Sequence, residues 1–238
     1  DMKRTFHVAG GLHHAHRGRA AGFCVYNDPA LAIFTLLGEH PDWRVVYIDT
    51  DAHHGDGVQE LFWNDPRVLT ISVHQSGRTL FPGTGFETET GGPSAPLSAA
   101  NIPLARESDD ACFRFAMDNA VAPLVRAWAP DVLVTQHGCD SHHEDPLTNL
   151  NASLEGMRRV DRCDFDLADE CCEGRVVALG GGGYAAFDVV PRAFTMTLAE
   201  LAGIKLPQPL PRRWRDDVRG RTGEEPPARL SDDDSVQI

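Results

Sequence analysis

The chain contains four short runs of apolar residues that are separated by longer mixed segments. The runs cover residues 45–48, 68–73, 132–135 and 176–179. Runs of this length without alternation are typical of strands that are buried on both faces of a parallel sheet. They predict the centre of such a sheet.

Three further segments have the apolar spacing of helices. Residues 29–37 follow Asp28, a suitable N-cap, and place Pro29 in the first turn. Residues 109–128 are long enough for about five turns, and Pro123 is expected to kink or restart that helix. Residues 188–202 form the last predicted helix. Strands that alternate with helices predict an α/β fold with a mostly parallel sheet.

Two segments lack this patterning. Residues 76–103 are rich in glycine, proline, serine and threonine and predict a long loop, a type that tends to be functional. Residues 206–238 combine prolines with many charges and predict an extended or disordered segment. We therefore expect a catalytic domain over residues 1–204 and a C-terminal tail over residues 205–238.

Composition narrows the class of protein. The 238 residues carry a net charge of −13, which gives no electrostatic support for nucleic-acid binding. No apolar run approaches the roughly 18 residues of a membrane span, and the polar first residues do not resemble a signal peptide. The six cysteines form no C-x-x-C pair. These features predict a cytoplasmic protein without nucleic-acid or membrane partners.

Polar, glycine-rich segments follow three of the four apolar runs. Ligands of parallel sheets bind beyond the carboxyl ends of the strands. Asp51 and His53, two residues apart on an extended backbone, can point the same way, and Asp140 follows another run. One imidazole and two carboxylates suit a catalytic zinc, which needs about three protein ligands and an open position. The competing interpretation is that these residues only cap helices and form turns.

His13 and His14 precede the first run and suggest a different role. Because adjacent side chains diverge, the pair is expected to handle protons beside a metal rather than to share one ion. Each imidazole would need a carboxylate on its other ring nitrogen, and Asp49 and Asp56 are available. The alternative is a pair of surface histidines.

Tyr184 follows four consecutive glycines. Such a backbone can pass close to a ligand, and a tyrosine there could donate its hydroxyl to a developing oxyanion. A flexible turn is one alternative. A phosphate-binding loop is another, but the segment lacks the lysine and the serine or threonine of a P-loop.

Several of these motifs together resemble the zinc-dependent histone deacetylase superfamily. The amino-acid sequence of residues 135–142 is similar to that of the bacterial acetoin-utilisation branch. The other matching segments, in the family's order, are residues 10–15, 22–28, 49–57, 81–85 and 180–184. The resemblance extends from about Gly10 to Ala202. It implies an arginase-like, three-layer α/β fold and a deacetylase catalytic domain.

The resemblance also implies roles for particular residues. Asp51, His53 and Asp140 match the zinc ligands, with Fe²⁺ as an alternative metal. His14 matches the general base and His13 its electrostatic partner, and Tyr184 matches the residue that polarises the scissile carbonyl. The carboxylates behind the histidines are Asp49 and Asp56. The implied substrate channel is formed by Gly22, Phe23, Phe81, Leu147 and Gly182. The implied site for a structural K⁺ or Na⁺ is formed by Asp49, Asp51, His53 and Ser72.

The implied activity is removal of an acetyl or acyl group from lysine side chains of proteins or peptides by metal-activated water. One alternative is an acetylpolyamine amidohydrolase, and another is a catalytically silent zinc-binding interaction module. An arginase-type manganese hydrolase would need a second set of bridging ligands. Nothing in the sequence indicates the oligomeric state.

Two departures from the family pattern create further expectations. Only nine residues precede Gly10, so we expect a chain that lacks its N-terminal part, including sheet strands. His142, His143 and Glu144 follow the third predicted ligand. We interpret these three residues as a solvated loop in preference to a second metal site.

Overall fold

A computed structural model describes residues 3–232 of the chain. Six strands form one sheet with the spatial order β1-β6-β5-β2-β3-β4, and every neighbouring pair is parallel. The strands are Arg4–His7 (β1), Val45–Asp49 (β2), Val68–Gln75 (β3), Ala99–Leu104 (β4), Val132–Gln136 (β5) and Val176–Leu179 (β6). The predicted α/β class and mostly parallel sheet are confirmed.

The helices lie on both faces of this sheet. They are Asp28–Glu39 (α1), Asp56–Phe62 (α2), Asp110–Ala116 (α3), Ala122–Trp128 (α4), Leu154–Cys172 (α5), Val189–Ala202 (α6) and Arg212–Thr222 (α7). Among the described residues, no helix combines the length and the apolar character that crossing a bilayer requires.

Alternation along the strands divides the interior into two apolar layers. In β2, Val46 and Ile48 pack against α3, α4 and α5, whereas Val45 and Tyr47 face α1 and α2. Because successive side chains of a strand point to opposite faces, a sheet with helices on both sides needs apolar residues at every position. This accounts for the unbroken apolar runs in the sequence.

The four predicted strands are present, and both unpredicted strands lie at the edges of the sheet. The strand β1 is short, and only every second residue is half-buried. The strand β4 occupies the end of the predicted loop over residues 76–103, where Pro103 is tolerated because one side of an edge strand needs no ladder partner. The loop prediction is therefore wrong for residues 99–103.

The helices show two differences from the predictions and one agreement. Asn27, not Asp28, is the N-cap of α1, and its Oδ1 accepts a hydrogen bond from the backbone N–H of Ala30 at 2.9 Å. The helices α2 and α5 were not predicted. The segment before Pro123 does restart, through a π-helical turn at Met117–Val121 that leads into α4. Proline has no N–H, so a break in the hydrogen-bond ladder at this point is expected.

The predicted extended or disordered state is wrong for Arg212–Thr222, which form α7. The segment also packs on the domain, since Leu206, Leu210 and Leu230 contact the apolar cluster of α6. Residues 233–238, which share the prediction, lie outside the described residues. The boundary at residues 204/205 stays a prediction.

Candidate metal centre and active site

The carboxyl ends of β2 and β5 bring three predicted ligands together. His53 Nδ1 lies 2.8 Å from Asp140 Oδ2 and 3.2 Å from Asp51 Oδ1. One ligand atom from each side chain lies within 4.8 Å of the others, and all three residues are buried. Because β2 and β5 are neighbours in register, the loops that follow them emerge side by side. The expected convergence is present, and the role of these residues as ligands stays a prediction.

Charge at this point favours a bound cation. Burial and the charge of Asp51 raise the pKa of Asp140 to about 7. For Asp51, burial alone would raise the pKa, but the charge of His13 and the hydrogen bond and charge of His53 hold this pKa well below its usual range. Two buried carboxylates beside one imidazole are costly unless a cation neutralises them. The donor set therefore fits a divalent metal.

Two glycines make room for these carboxylates. A Cβ at Gly138 would collide with Asp51 Oδ2, and a Cβ at Gly182 would collide with Asp140 Oδ2. The backbone N–H of Gly182 also donates to Asp51 Oδ2 at 2.8 Å. The close approach of the glycine-rich segment after β6 thus shapes the pocket around the ligand atoms.

The two adjacent histidines each have a carboxylate partner. His13 Nδ1 lies 2.7 Å from Asp49 Oδ2, and His14 Nδ1 lies 2.7 Å from Asp56 Oδ1. The two Nε2 atoms face each other at 3.1 Å. Each Nδ1–H is therefore assigned as a donor to its carboxylate, and one Nε2 must carry a proton for the pair to bond.

The surroundings shift the pKa values of the two imidazole rings in opposite directions. Burial alone would lower the pKa of His13, but Asp49 and Asp51 outweigh it and raise the pKa to about 9. Burial and the neighbouring charge of His13 lower the pKa of His14. At neutral pH, a charged His13 donates from Nε2 to a neutral His14. This arrangement leaves His14 as the base of the pair.

Tyr184 lines a cavity that it shares with the two histidines. The cavity has a volume of about 240 Å³, and its lining includes both histidines, Asp51, His53 and Tyr184. Burial and the charges of the nearby carboxylates raise the pKa of Tyr184, so its hydroxyl stays protonated. A protonated tyrosine thus lines the same cavity as the predicted metal ligands Asp51 and His53.

The predicted channel residues surround this cavity in part. Gly22, Phe23 and Gly182 line it. Phe23 is 83% exposed with its ring centroid 6.1 Å from that of Tyr184, and the ring of Phe81 is 5.0 Å from His14. Leu147 is half exposed and is not part of the lining. Phe81 is likewise outside the lining, so of the two rings only Phe23 borders the cavity. The assignment of a channel stays a prediction.

The residues predicted to bind a monovalent cation make contacts with one another that only partly resemble a binding site. Asp49 accepts a hydrogen bond from the backbone N–H of Asp51 at 3.2 Å. Ser72 is the direct neighbour of Asp49 across β2 and β3, but its Oγ bonds to His74 Nδ1 at 2.8 Å. Binding of K⁺ or Na⁺ here stays a prediction.

His142, His143 and Glu144 offer ligand atoms within 4.8 Å of one another. However, His142 Nε2 lies 2.9 Å from Asp232 Oδ2, and its Nδ1 accepts from the backbone N–H of Glu144 at 3.1 Å. Both ring nitrogens are engaged, which argues against a second metal site. The solvated-loop interpretation is nevertheless wrong for His142, which is fully buried.

Comparison with known proteins identifies the family. The sequence model of the histone deacetylase domain family matches residues 1–201. The chain belongs to the histone deacetylase family. A crystal structure of an HDAC homolog from Aquifex aeolicus superimposes with a TM-score of 0.82 at 36% identity, covering 90% of this chain and 56% of that one. A crystal structure of an HDAC homolog complexed with SAHA matches with a TM-score of 0.83 at the same identity and coverage.

The acetoin utilization protein AcuC of Bacillus subtilis is 44% identical over 207 residues, which cover 87% of this chain and 53% of that protein. AcuC of Staphylococcus aureus strain COL is 40% identical over 231 residues, covering 95% of this chain and 58% of that protein. The chain thus spans little more than half the length of these curated relatives. The predicted resemblance to the acetoin-utilisation branch is confirmed.

Several residues that support this candidate site were not predicted. Tyr47 donates its hydroxyl to Asp49 Oδ2 at 2.7 Å, and Gln136 Nε2 donates to Asp51 Oδ2 at 2.8 Å. Asp145 accepts from the backbone N–H groups of Leu147 and Tyr184 at 2.9 and 2.8 Å. Tyr47 precedes Asp49 by two residues and shares its face of the strand, a signal that sequence reasoning could have used. The contact of Asp145 is long-range and leaves no such signal.

Proposed function

We propose that this protein is a zinc-dependent hydrolase that removes acetyl or acyl groups from lysine side chains of proteins. The observation that carries the proposal is one cavity whose lining includes Asp51 and His53 of the candidate metal trio, the histidine pair and Tyr184. The family membership supports the reaction class.

Asp51, His53 and Asp140 would hold the zinc. One nitrogen and two oxygens from buried side chains suit zinc, and Fe²⁺ would accept the same donors. The chemistry that the metal supplies when bound is activation of water and polarisation of a carbonyl oxygen.

The residues of the chain supply the proton transfers. His14, kept neutral by burial and by charged His13, accepts the proton of the attacking water and returns it to the leaving amine. Asp56 holds Nδ1 of His14 and so fixes which nitrogen faces the cavity. Tyr184 donates its hydroxyl to the oxygen of the tetrahedral carbon.

The entrance supports an acyl-lysine side chain as the substrate. Acylation removes the charge of lysine, so its aliphatic stem can pass between the rings of Phe23 and Phe81 without a charge to desolvate. The net charge of −13 favours basic partners such as lysine-rich peptides. A cytoplasmic location is part of the same proposal.

The test is an assay of the full-length protein on an acetyl-lysine peptide and, separately, on an acetylated polyamine. We expect turnover of the peptide to be lost with a chelator and recovered with Zn²⁺. Faster turnover of the polyamine would replace protein lysine as the substrate class. Absence of turnover on both, with the metal bound, would favour the silent zinc-binding module.

A further inference from the structure

A third imidazole, His16, lies behind the pair formed by His14 and Asp56. His14 Nδ1 holds Oδ1 of Asp56 at 2.7 Å, and His16 Nε2 lies 3.2 Å from the second oxygen, Oδ2. The side chain of His16 is only 5% exposed, and His16 does not line the cavity. Asp56 is therefore enclosed between two imidazoles, of which only His14 reaches the cavity.

His16 has two further charged neighbours. Its Nδ1 lies 2.6 Å from Glu60 Oε2, one turn beyond Asp56 on α2, and Nη2 of Arg19 lies 2.8 Å from its Nε2. A guanidinium can only donate, so the contact with Arg19 needs an Nε2 without hydrogen, whereas a hydrogen bond to Asp56 needs an Nε2–H. A single Nε2 cannot make both hydrogen bonds at once, so Arg19 and Asp56 compete for this atom.

The charge of His16 acts on Asp56. Burial alone would raise the pKa of Asp56, but the hydrogen bond from His14 and the charges of His14 and His16 hold it below its usual range. A positive charge on His16 partly neutralises the carboxylate of Asp56. The same carboxylate then stabilises a protonated His14 less.

We propose that His16 is a positioning residue that holds the second oxygen of Asp56 and so orients the first oxygen toward His14. The proposal rests on the proposed function. The charged groups that face His16 are Asp56 and Glu60 of α2 and Arg19 of its own loop. His16 touches neither the cavity nor the candidate metal ligands, so its effect passes through Asp56.

Replacing His16 by leucine in the full-length protein removes the contacts of this residue with Asp56, Glu60 and Arg19. We expect kcat on an acetyl-lysine peptide to fall roughly tenfold, while KM changes less than about twofold because the cavity wall is untouched. The acid limb of the pH–rate profile should move to higher pH by about half a unit, since Asp56 then keeps its charge beside His14. A purely structural role would not produce that movement.

Two further variants separate orientation from charge. The amide of His16→Gln can donate to Asp56 without a charge, and we expect it to restore kcat to within about threefold of wild type while keeping the altered pH profile. His40→Leu is the matched control, because His40 is exposed and stacks only on Trp43. It should match wild type in both readouts.

Histidine-selective ¹⁵N NMR gives a readout that does not depend on turnover. The titration midpoint of His14, assigned by its loss in His14→Ala, should rise in His16→Leu with and without metal. Glu60→Gln, at a side chain that is 56% exposed, should shift it in the same direction by less. This variant keeps the proposal testable if His16→Leu does not fold.

The outcomes distinguish the two proposals. If His14→Ala retains wild-type turnover, the proposed function fails. If His14→Ala is inactive while His16→Leu and Glu60→Gln match wild type in kcat, pH profile and NMR midpoint, only the role of His16 is wrong.

Discussion

Two buried clusters of histidine and aspartate lie close together in this fold, yet they differ in what their atoms face. We call the first the site cluster, and its members are His13, His14, Asp49 and Asp56. We call the second the inner cluster, and its members are Thr135, His137, Asp161, Asp164 and Thr197. The site cluster borders a cavity of about 240 Å³, whereas the inner cluster borders a space of only about 20 Å³.

In the inner cluster, the ring of His137 has no free nitrogen. Nδ1 lies 2.7 Å from Asp161 Oδ1, and Nε2 lies 2.7 Å from the hydroxyl of Thr135. Thr197 donates to the other oxygen of Asp161 at 2.7 Å. In the site cluster, by contrast, the two Nε2 atoms meet at the edge of a cavity. Chemistry is thus indicated by polar atoms that face open space, not by residue types alone.

The carboxylates differ in the same way. Each carboxylate of the site cluster bonds to an imidazole, but both oxygens of Asp164 are buried without a hydrogen-bond partner. Burial raises the pKa of Asp164 to about 7. Asp164 is therefore a cost to stability at high pH and plays no part in the proposed reaction.

The largest expected effect comes from removing the proton-handling groups of the site. His14→Ala and, separately, Tyr184→Phe should each lower turnover by roughly 10²-fold or more, with the metal retained and the melting temperature almost unchanged. Tyr26→Phe is the matched control for the phenol, since Tyr26 is 74% exposed. Wild-type turnover in both site variants would contradict the claim that the site cluster, unlike the inner cluster, takes part in the reaction.

The second effect is on stability, in the inner cluster. An aspartate whose pKa is raised on folding contributes stability below its usual value of 3.8, and that contribution is lost as the pH rises through about 7. Asp164→Asn should therefore be more stable than wild type at pH 8 by on the order of 2 kcal/mol, or about 4–8 °C, with unchanged turnover.

Thermal unfolding at several pH values checks this prediction. The advantage of Asp164→Asn should shrink as the pH falls and vanish below about pH 4. Asp166→Asn, at an exposed position of the same helix, controls for the change of net charge. An advantage that is independent of pH would contradict the raised pKa.

A smaller effect is expected from Asp145, which joins Leu147 and Tyr184. An asparagine offers only one acceptor oxygen, so it can keep one of the two backbone hydrogen bonds. Asp145→Asn should lower kcat about tenfold, or ~1.4 kcal/mol, because Tyr184 is held less firmly. Glu144→Gln at the exposed neighbouring position should keep wild-type kcat, and equal kcat in both variants would refute the positioning role.

The smallest effect is expected from Thr197→Val, which removes one hydrogen bond of the inner cluster. We expect a loss of about 1 kcal/mol in unfolding free energy, measured by urea titration, and no change in turnover. Thr195→Val, at an exposed position of α6, should change stability less. A fall in turnover of Thr197→Val would show that the inner cluster takes part in the reaction.

The centre of the fold could be predicted from the sequence, but its edges could not. Strands buried on both faces, such as β2 and β5, need unbroken apolar runs, and these runs are easily recognised. The edge strands β1 and β4 need little apolar surface, so their sequences resemble loops. The helix α7 was missed because it is highly charged and several of its charged residues pair with one another, as Arg221 does with Asp217.

The site followed the same rule. The convergence of Asp51, His53 and Asp140 could be predicted because strand ends and glycines mark these residues in the sequence. The contacts of Gln136 and Asp145 with the site depend on how separate loops meet in three dimensions. No local pattern specifies such meetings, so these supporting residues needed the structure.

The most direct test of the central claim is a crystal structure of the full-length protein with zinc, with anomalous scattering recorded at the zinc edge. We predict one strong peak, about 2.0–2.2 Å from His53 Nδ1 and from one oxygen each of Asp51 and Asp140. A peak at His142 and Glu144 instead, or none between the three predicted ligands, would contradict the account.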